Sequence, residues 1–228
     1  MKLLQYYFIL FQITTACGFL CLQATRNAEY IVPRNDDHDR ELVRQQLGYV
    51  PTNWVCVSAR TQAGDPIAIQ TYPLQGGSMR RQAKAKMSDI GTPFPTLFWF
   101  TNPLIGTAIA ELERQGYIQR IQESLNKSEK EELLACHEKY ASMRWESLSS
   151  DHRQKLIEDP SLQRLRTMLQ CSGVAGTMLS GSANMDSIPS IKCLHAHYAQ
   201  FRSCRELGNP VGRRVHHWLQ EDFPDLVL

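Results

Sequence analysis

Charge of one sign is scarce in this sequence. Lys and Arg number 25 against 23 Asp and Glu, a formal net charge of +2 in 228 residues. No clustered excess therefore supports a nucleic-acid or membrane-surface partner. The halves repeat the balance, with 12 basic and 9 acidic residues over 1–120 and 13 and 14 over 121–228. There is no CxxC pair, which removes the signal for a zinc ribbon. Beyond the leader, Cys56, Cys136, Cys171, Cys193 and Cys204 are odd in number and irregular in spacing, so no disulfide framework is announced. A Gly-rich phosphate loop, HExxH, a nucleophile elbow, a paired DxD and an internal repeat are all absent. With 13 Gly and 11 Pro, collagen and long low-complexity disorder are excluded. What remains is an ordinary globular composition, 43% hydrophobic, long enough for one domain with a sizeable core.

Residues 3–22 follow Lys2 and carry no charge, the pattern of a charged n-region and an apolar h-region. Gln5, Gln12, Thr14 and Thr15 dilute the stretch as a membrane span, whereas Thr15, Ala16, Cys17 and Gly18 suit cleavage. It reads first as a signal peptide, second as an uncleaved anchor and third as a buried N-terminal segment; a membrane partner is implied only if 3–22 are retained. Residues 23–35, with Arg26 and Arg34 against Glu29, read as a linker or targeting extension, and the expected destination is the secretory pathway or an organelle. A single globular domain is expected over 36–228.

Asp36–Gln46 reads as a capped, charged helix that stops at Leu47-Gly48. Trp54–Ser58 and Ile67–Tyr72, separated by Gly64-Asp65-Pro66, predict an antiparallel hairpin, and Leu97–Thr101 a third strand. The loop Gln75–Asp89 carries Arg80, Arg81, Lys84 and Lys86; a phosphate contact competes there with a solvated loop, and the solvated loop is the better reading. Helices follow: Pro103 to Gly116, one opened by a capping box at Ser128 and Glu131, Ser150–Glu158, Pro160–Leu169, one near Pro189–Cys204, and Val211–Gln220. Strands first and helices afterwards give an α+β fold, a small antiparallel sheet in the N-terminal half packed by a mainly helical C-terminal half.

Leu133, His137, Tyr140 and Arg144 are spaced 4, 3 and 4 apart, so one helix face carries an imidazole, a phenol and a guanidinium. The same spacing also describes an ordinary amphipathic helix with His137 and Arg144 at its rim. The segment from Ser187 to His197 is denser. With Ser187 or Ser190 as N-cap and Pro189 in the first turn, Lys192 and Cys193 fall at a helix start, where unpaired amides stabilise an anion or a thiolate. Cys193 and His197, at i and i+4, could share a metal with help from His137 or Cys136, while His195 faces elsewhere. A buried Cys among surface histidines is the plainer alternative. His216 and His217 are adjacent and make a poor chelate.

Three blocks together resemble a known family. Gly91-Thr92-Pro93-Phe94-Pro95-Thr96-Leu97-Phe98-Trp99-Phe100-Thr101, with Leu112-Glu113 and Gly116 behind it, looks like the GTPFPTLYYLT signature of the bacterial domain of unknown function 501. Lys192-Cys193-Leu194-His195-Ala196 followed by Gly208-Asn209-Pro210 resembles its KCLHA and N-P blocks, and His137, Tyr140 and Arg144 match its HxxYxxxR helix. The likeness runs from about Asp37 to Leu219. This sequence departs where the family often has a Cys-rich turn and a Cys after the third strand: Thr61-Gln62-Ala63-Gly64 and Asn102 stand there. A metal model that relies on those cysteines does not apply. The loop 75–89 is longer than the family's connection, and the leader has no bacterial counterpart. The resemblance implies no reaction; it implies that the HxxYxxxR helix and the KCLHA helix start meet in one pocket.

The leading expectation is that Arg144, Lys192 and the KCLHA helix start bind a small anionic molecule, phosphate-bearing compounds included. His137 and His195 are then the acid/base candidates, Cys193 a thiolate candidate and Tyr140 a hydrogen-bond donor. One alternative is a metal-dependent enzyme with zinc or iron on His137, Cys193 and His195 or His197. Another is a non-catalytic interaction module docking through Phe94 and Trp99. No cofactor follows from the sequence, and whether the protein is an enzyme stays open.

Overall fold

A computed structural model describes residues 36–74, 90–179 and 190–228. The leader and linker, the basic loop 75–89 and the helix-start residues Ser187 and Pro189 lie outside the described residues.

Helix α1 (Asp36–Leu47) ends where Gly48 adopts φ of 79° and donates its N–H to the Arg44 carbonyl at 2.8 Å. A left-handed residue there satisfies a carbonyl the helix end would leave open. Strands β1 (Trp54–Arg60) and β2 (Pro66–Thr71) pair antiparallel, with Val57 opposite Ile69 and Ala59 opposite Ala68. Strand β3 (Phe98–Phe100) pairs antiparallel with β2, so the sheet order is β1-β2-β3. The central strand is buried along its whole length, which explains the apolar run Ile67-Ala68-Ile69.

Helix α2 (Pro103–Arg114) leaves the sheet at once. The Asn102 side chain accepts from the Ile105 N–H at 3.1 Å, and Pro103 occupies the first turn, where no amide partner is needed. Gly116, at φ of 81°, separates α2 from α3 (Tyr117–Ser124), a short helix beyond the sequence expectation. Helix α4 (Lys127–Glu146) starts at a capping box two residues earlier than expected. Asn126 Oδ1 accepts from the Glu129 N–H at 2.9 Å, and Glu129 Oε2 accepts from the Asn126 N–H at 3.1 Å. After α5 (Ser150–Glu158) and α6 (Gln163–Cys171) come α7 (Leu194–Ser203) and α8 (Pro210–Asp222), making eight α-helices among the described residues. The fold is α+β.

Helix α7 is the centre of the packing, touching all three strands on one side and α8 on the other. At the α7–α8 crossing a Cβ on Gly212 would lie 2.4 Å from Phe201 Cβ and 2.6 Å from the His197 carbonyl oxygen, so only glycine permits this approach. Arg213 on Glu132 and Arg214 on Glu129, both at 2.8 Å, tie α8 to α4. The main core joins Ile67, Leu97, Ile109, Leu112, Leu133 and Val211. A smaller cluster beneath α5 and α6 holds Leu74, Ile90, Leu148, Leu156 and Leu169. Among the described residues no helix is long and apolar enough to cross a membrane.

Candidate functional site

The stripe on α4 is buried throughout, and each of its three polar side chains hydrogen-bonds to backbone. The Tyr140 hydroxyl accepts from the Leu97 N–H at 2.7 Å, fixing the entry to β3. Arg144 is wholly buried. Its Nε and Nη2 donate to the Leu169 carbonyl at 2.9 and 2.7 Å, Nη1 donates to the Pro95 carbonyl at 3.0 Å, and Nη2 also reaches the Ser172 carbonyl. Burial pulls this guanidinium below the usual arginine range. The expectation that Arg144 and Tyr140 contact a ligand is corrected here, because their hydrogen-bonding capacity is spent on carbonyls and an amide inside the core. The stripe is a clasp that holds Pro95–Leu97 and Leu169–Val174 against α4.

His137 belongs to the same clasp. Its Nδ1 accepts from the Val174 N–H at 2.9 Å, and a Cβ on Gly173 would fall 2.4 Å from that nitrogen. Nε2 therefore carries the proton of the neutral ring. The His137 ring stands 5.6 Å from that of His197, at 75°, and both Nε2 atoms lack a hydrogen-bond partner among the described residues. Burial pushes the His137 pKa down to about 4; burial and the nearby His137 push that of His197 down to about 3. Among the described residues no third His, Cys or carboxylate closes on this pair. The expected metal set that joins His137 and His197 to Cys193 is thus not assembled.

The reason lies in where α7 begins. The helix starts at Leu194, and Cys193 is its extended N-cap residue, with φ −158° and ψ 120°. The Cys193 carbonyl still accepts from the His197 N–H at 3.4 Å, but the extended backbone takes the Cys193 side chain off the His197 face, and the thiol turns to His195 instead, Sγ to Nδ1 being 3.9 Å. A third group arrives from α2: Glu113 Oε1 lies 3.3 Å from His195 Nδ1 and accepts from the Leu194 N–H at 2.6 Å. The anion at this helix start is the protein's own carboxylate. On its far side the His195 ring reaches the Gly106 carbonyl, Nε2 to O 3.0 Å, with Phe100 edge-on at 5.5 Å. A carbonyl can only accept, so Nε2 carries a proton and Nδ1 is the nitrogen left for the sulfur and the carboxylate.

Gly106 and Glu113 are seven residues apart, two turns of one helix, so the ring lies along a single face of α2. The histidine and glutamate side chains are 27% and 26% exposed, enough for solvent to reach them. Burial draws the His195 pKa down, but hydrogen bonds to the Cys193 sulfur and the Gly106 carbonyl, with the charges of Glu113 and Cys193, outweigh it and push the value up to about 9. Glu113 is the member of this group that the sequence motifs did not single out as a site residue. Beside Arg114 it reads as a routine surface carboxylate, and the available signals were its place behind the first family block and its position two turns after Gly106.

The other candidates are dispersed. Lys192 is exposed and rests its Nζ on the Gly176 carbonyl at 3.0 Å. Phe94 and Trp99 lie ring against ring at 4.9 Å, tilted by 31°, with Tyr49 edge-on to Trp99 at 6.3 Å, all half-buried. His216 meets the Tyr198 hydroxyl at 3.3 Å while His217 pairs outward with Glu221 at 3.2 Å, so the two diverge as expected.

The model of the family described as Protein of unknown function (DUF501) matches residues 57–217. No curated protein matches the chain, and no solved structure does.

Proposed function

We propose that this chain, which belongs to the family described as Protein of unknown function (DUF501), is a small-molecule-binding domain whose working centre is Glu113, Cys193 and His195, and that its ligand is anionic. The observation that carries this reading is the convergence of those three side chains, from α2 and the start of α7, at a place solvent can enter. The other titratable candidates of the α4 stripe are consumed by packing. An anionic ligand is supported by the protonated ring of His195 at the site and by the exposed Lys192, the chain neighbour of Cys193. The Lys192 bond to the Gly176 carbonyl is at the surface and can be exchanged for a ligand oxygen. The docking-module reading has less support, because Phe94 and Trp99 spend much of their surface on each other.

Inorganic phosphate is the simplest probe. In chelator-treated protein it should raise the thermal midpoint of the wild type, and the effect should shrink in Lys192→Met and vanish in Lys192→Met/His195→Gln. Equal stabilisation of the wild type and the double variant would overturn the reading.

A further inference from the structure

We infer that Glu113, Cys193 and His195 hold a divalent transition-metal ion of the zinc class and leave its fourth coordination position open. The inference takes its location from the ligand site proposed above and adds the cofactor. Glu113, Cys193 and His195 each offer one ligand atom, and these atoms lie within 4.8 Å of one another; it is the one such group among the described residues. Bonds of about 2.0–2.3 Å in a tetrahedron separate neighbouring ligands by about 3.3–3.6 Å. The Nδ1–Oε1 distance of 3.3 Å already meets that, and the Sγ–Nδ1 distance of 3.9 Å needs only a small contraction.

The same three residue types could instead serve as a nucleophile, a base and an orienting acid, and the geometry decides between the two. In such a triad the nucleophile and the carboxylate sit on opposite nitrogens of the imidazole. Here both face Nδ1, and Nε2 is held by the Gly106 carbonyl. Sulfur, nitrogen and carboxylate oxygen converging on one point is the arrangement of a ligand set. A ring whose second N–H is fixed by a backbone carbonyl is the usual support of a metal-binding histidine. Glu113 Oε1 is likewise steadied by the Leu194 N–H at 2.6 Å.

Thiolate, imidazole and carboxylate together suit zinc better than calcium or magnesium, which favour oxygen alone. On loading, the thiol proton and any proton on His195 Nδ1 leave to solvent. Thiolate and carboxylate then neutralise the 2+ charge, and His195 binds as the neutral ring. Three protein ligands in a partly exposed cleft leave room for a water or an anionic oxygen in the fourth position.

Untagged full-length protein, dialysed against chelator, should bind one equivalent of Co²⁺ with a thiolate-to-metal absorption band, and Zn²⁺ should displace it. Cys193→Ser and His195→Gln should each weaken binding by more than about 100-fold, beyond what loss of an outer partner costs. Glu113→Gln, which keeps an oxygen for the Leu194 N–H, serves if either of those fails to fold. Wild type that takes up no Co²⁺, or takes it up without the thiolate band, overturns the inference, as does unchanged affinity in a folded variant. Because the phosphate test is run on chelated protein, failure here leaves the ligand-site reading standing, and failure there leaves the metal.

Discussion

Replacing His137 by Asn should flatten the dependence of stability on pH between neutrality and about pH 5. His137 is wholly buried, and burial pushes its pKa down to about 4, against about 6.5 in an unfolded chain. Below about pH 6.5 the unfolded chain binds a proton that the folded protein refuses, so stability is complete above that value and is lost as pH falls toward 4. A difference of about 2.5 pKa units corresponds to about 3 kcal/mol in full, of which about 2 kcal/mol disappears between pH 7 and pH 5. Asn is the informative replacement because its Oδ1 can stand where Nδ1 accepts from Val174. The smaller side chain lowers stability at every pH, so the readout is a difference of differences. Urea unfolding at pH 7 and pH 5 should give a wild-type loss larger by about 2 kcal/mol than that of His137→Asn. His197 contributes with the same sign in both proteins. Parallel pH profiles would refute the claim that His137 is folded neutral and protonated only on unfolding.

Other outcomes follow from the same geometry. Arg144→Met leaves the Leu169, Pro95 and Ser172 carbonyls without their donor and should cost more than about 3 kcal/mol by denaturant unfolding; Arg144→Lys, with a single ammonium, should recover only part of that. Gly173→Ala should be more damaging than Gly176→Ala. The first drives a Cβ to within 2.4 Å of His137 in the core, whereas the second meets open space and carries only the left-handed penalty of about 1–2 kcal/mol. Iodoacetamide should label the half-exposed Cys193 well before Cys136, whose thiol burial pushes up to about 12; added Zn²⁺ should slow labelling of Cys193 and leave that of Cys171 unchanged, as peptide mass mapping would show.

Features that depend only on neighbours along the chain could be read from residue order. The α1 stop at Gly48, the hairpin about Gly64, the Pro103 start of α2 and the Asn209 cap of α8 all come from φ preferences and side-chain caps that act within a few residues. The family was legible in the same way, and its model matches residues 57–217. Which polar groups work together depends on contacts between distant segments. An α4 stripe with an imidazole, a phenol and a guanidinium looks the same whether it faces a ligand or three carbonyls, and only the path of residues 95–97 and 169–174 shows that it faces the chain itself. The start of α7 turned on one residue: with Cys193 extended rather than helical, its sulfur meets His195 and not His197. Glu113 lies 80 positions before Cys193, and no local rule connects them. They meet because the apolar faces of α2 and α7 are buried in the same core, and burial joins surfaces without regard to their separation along the chain.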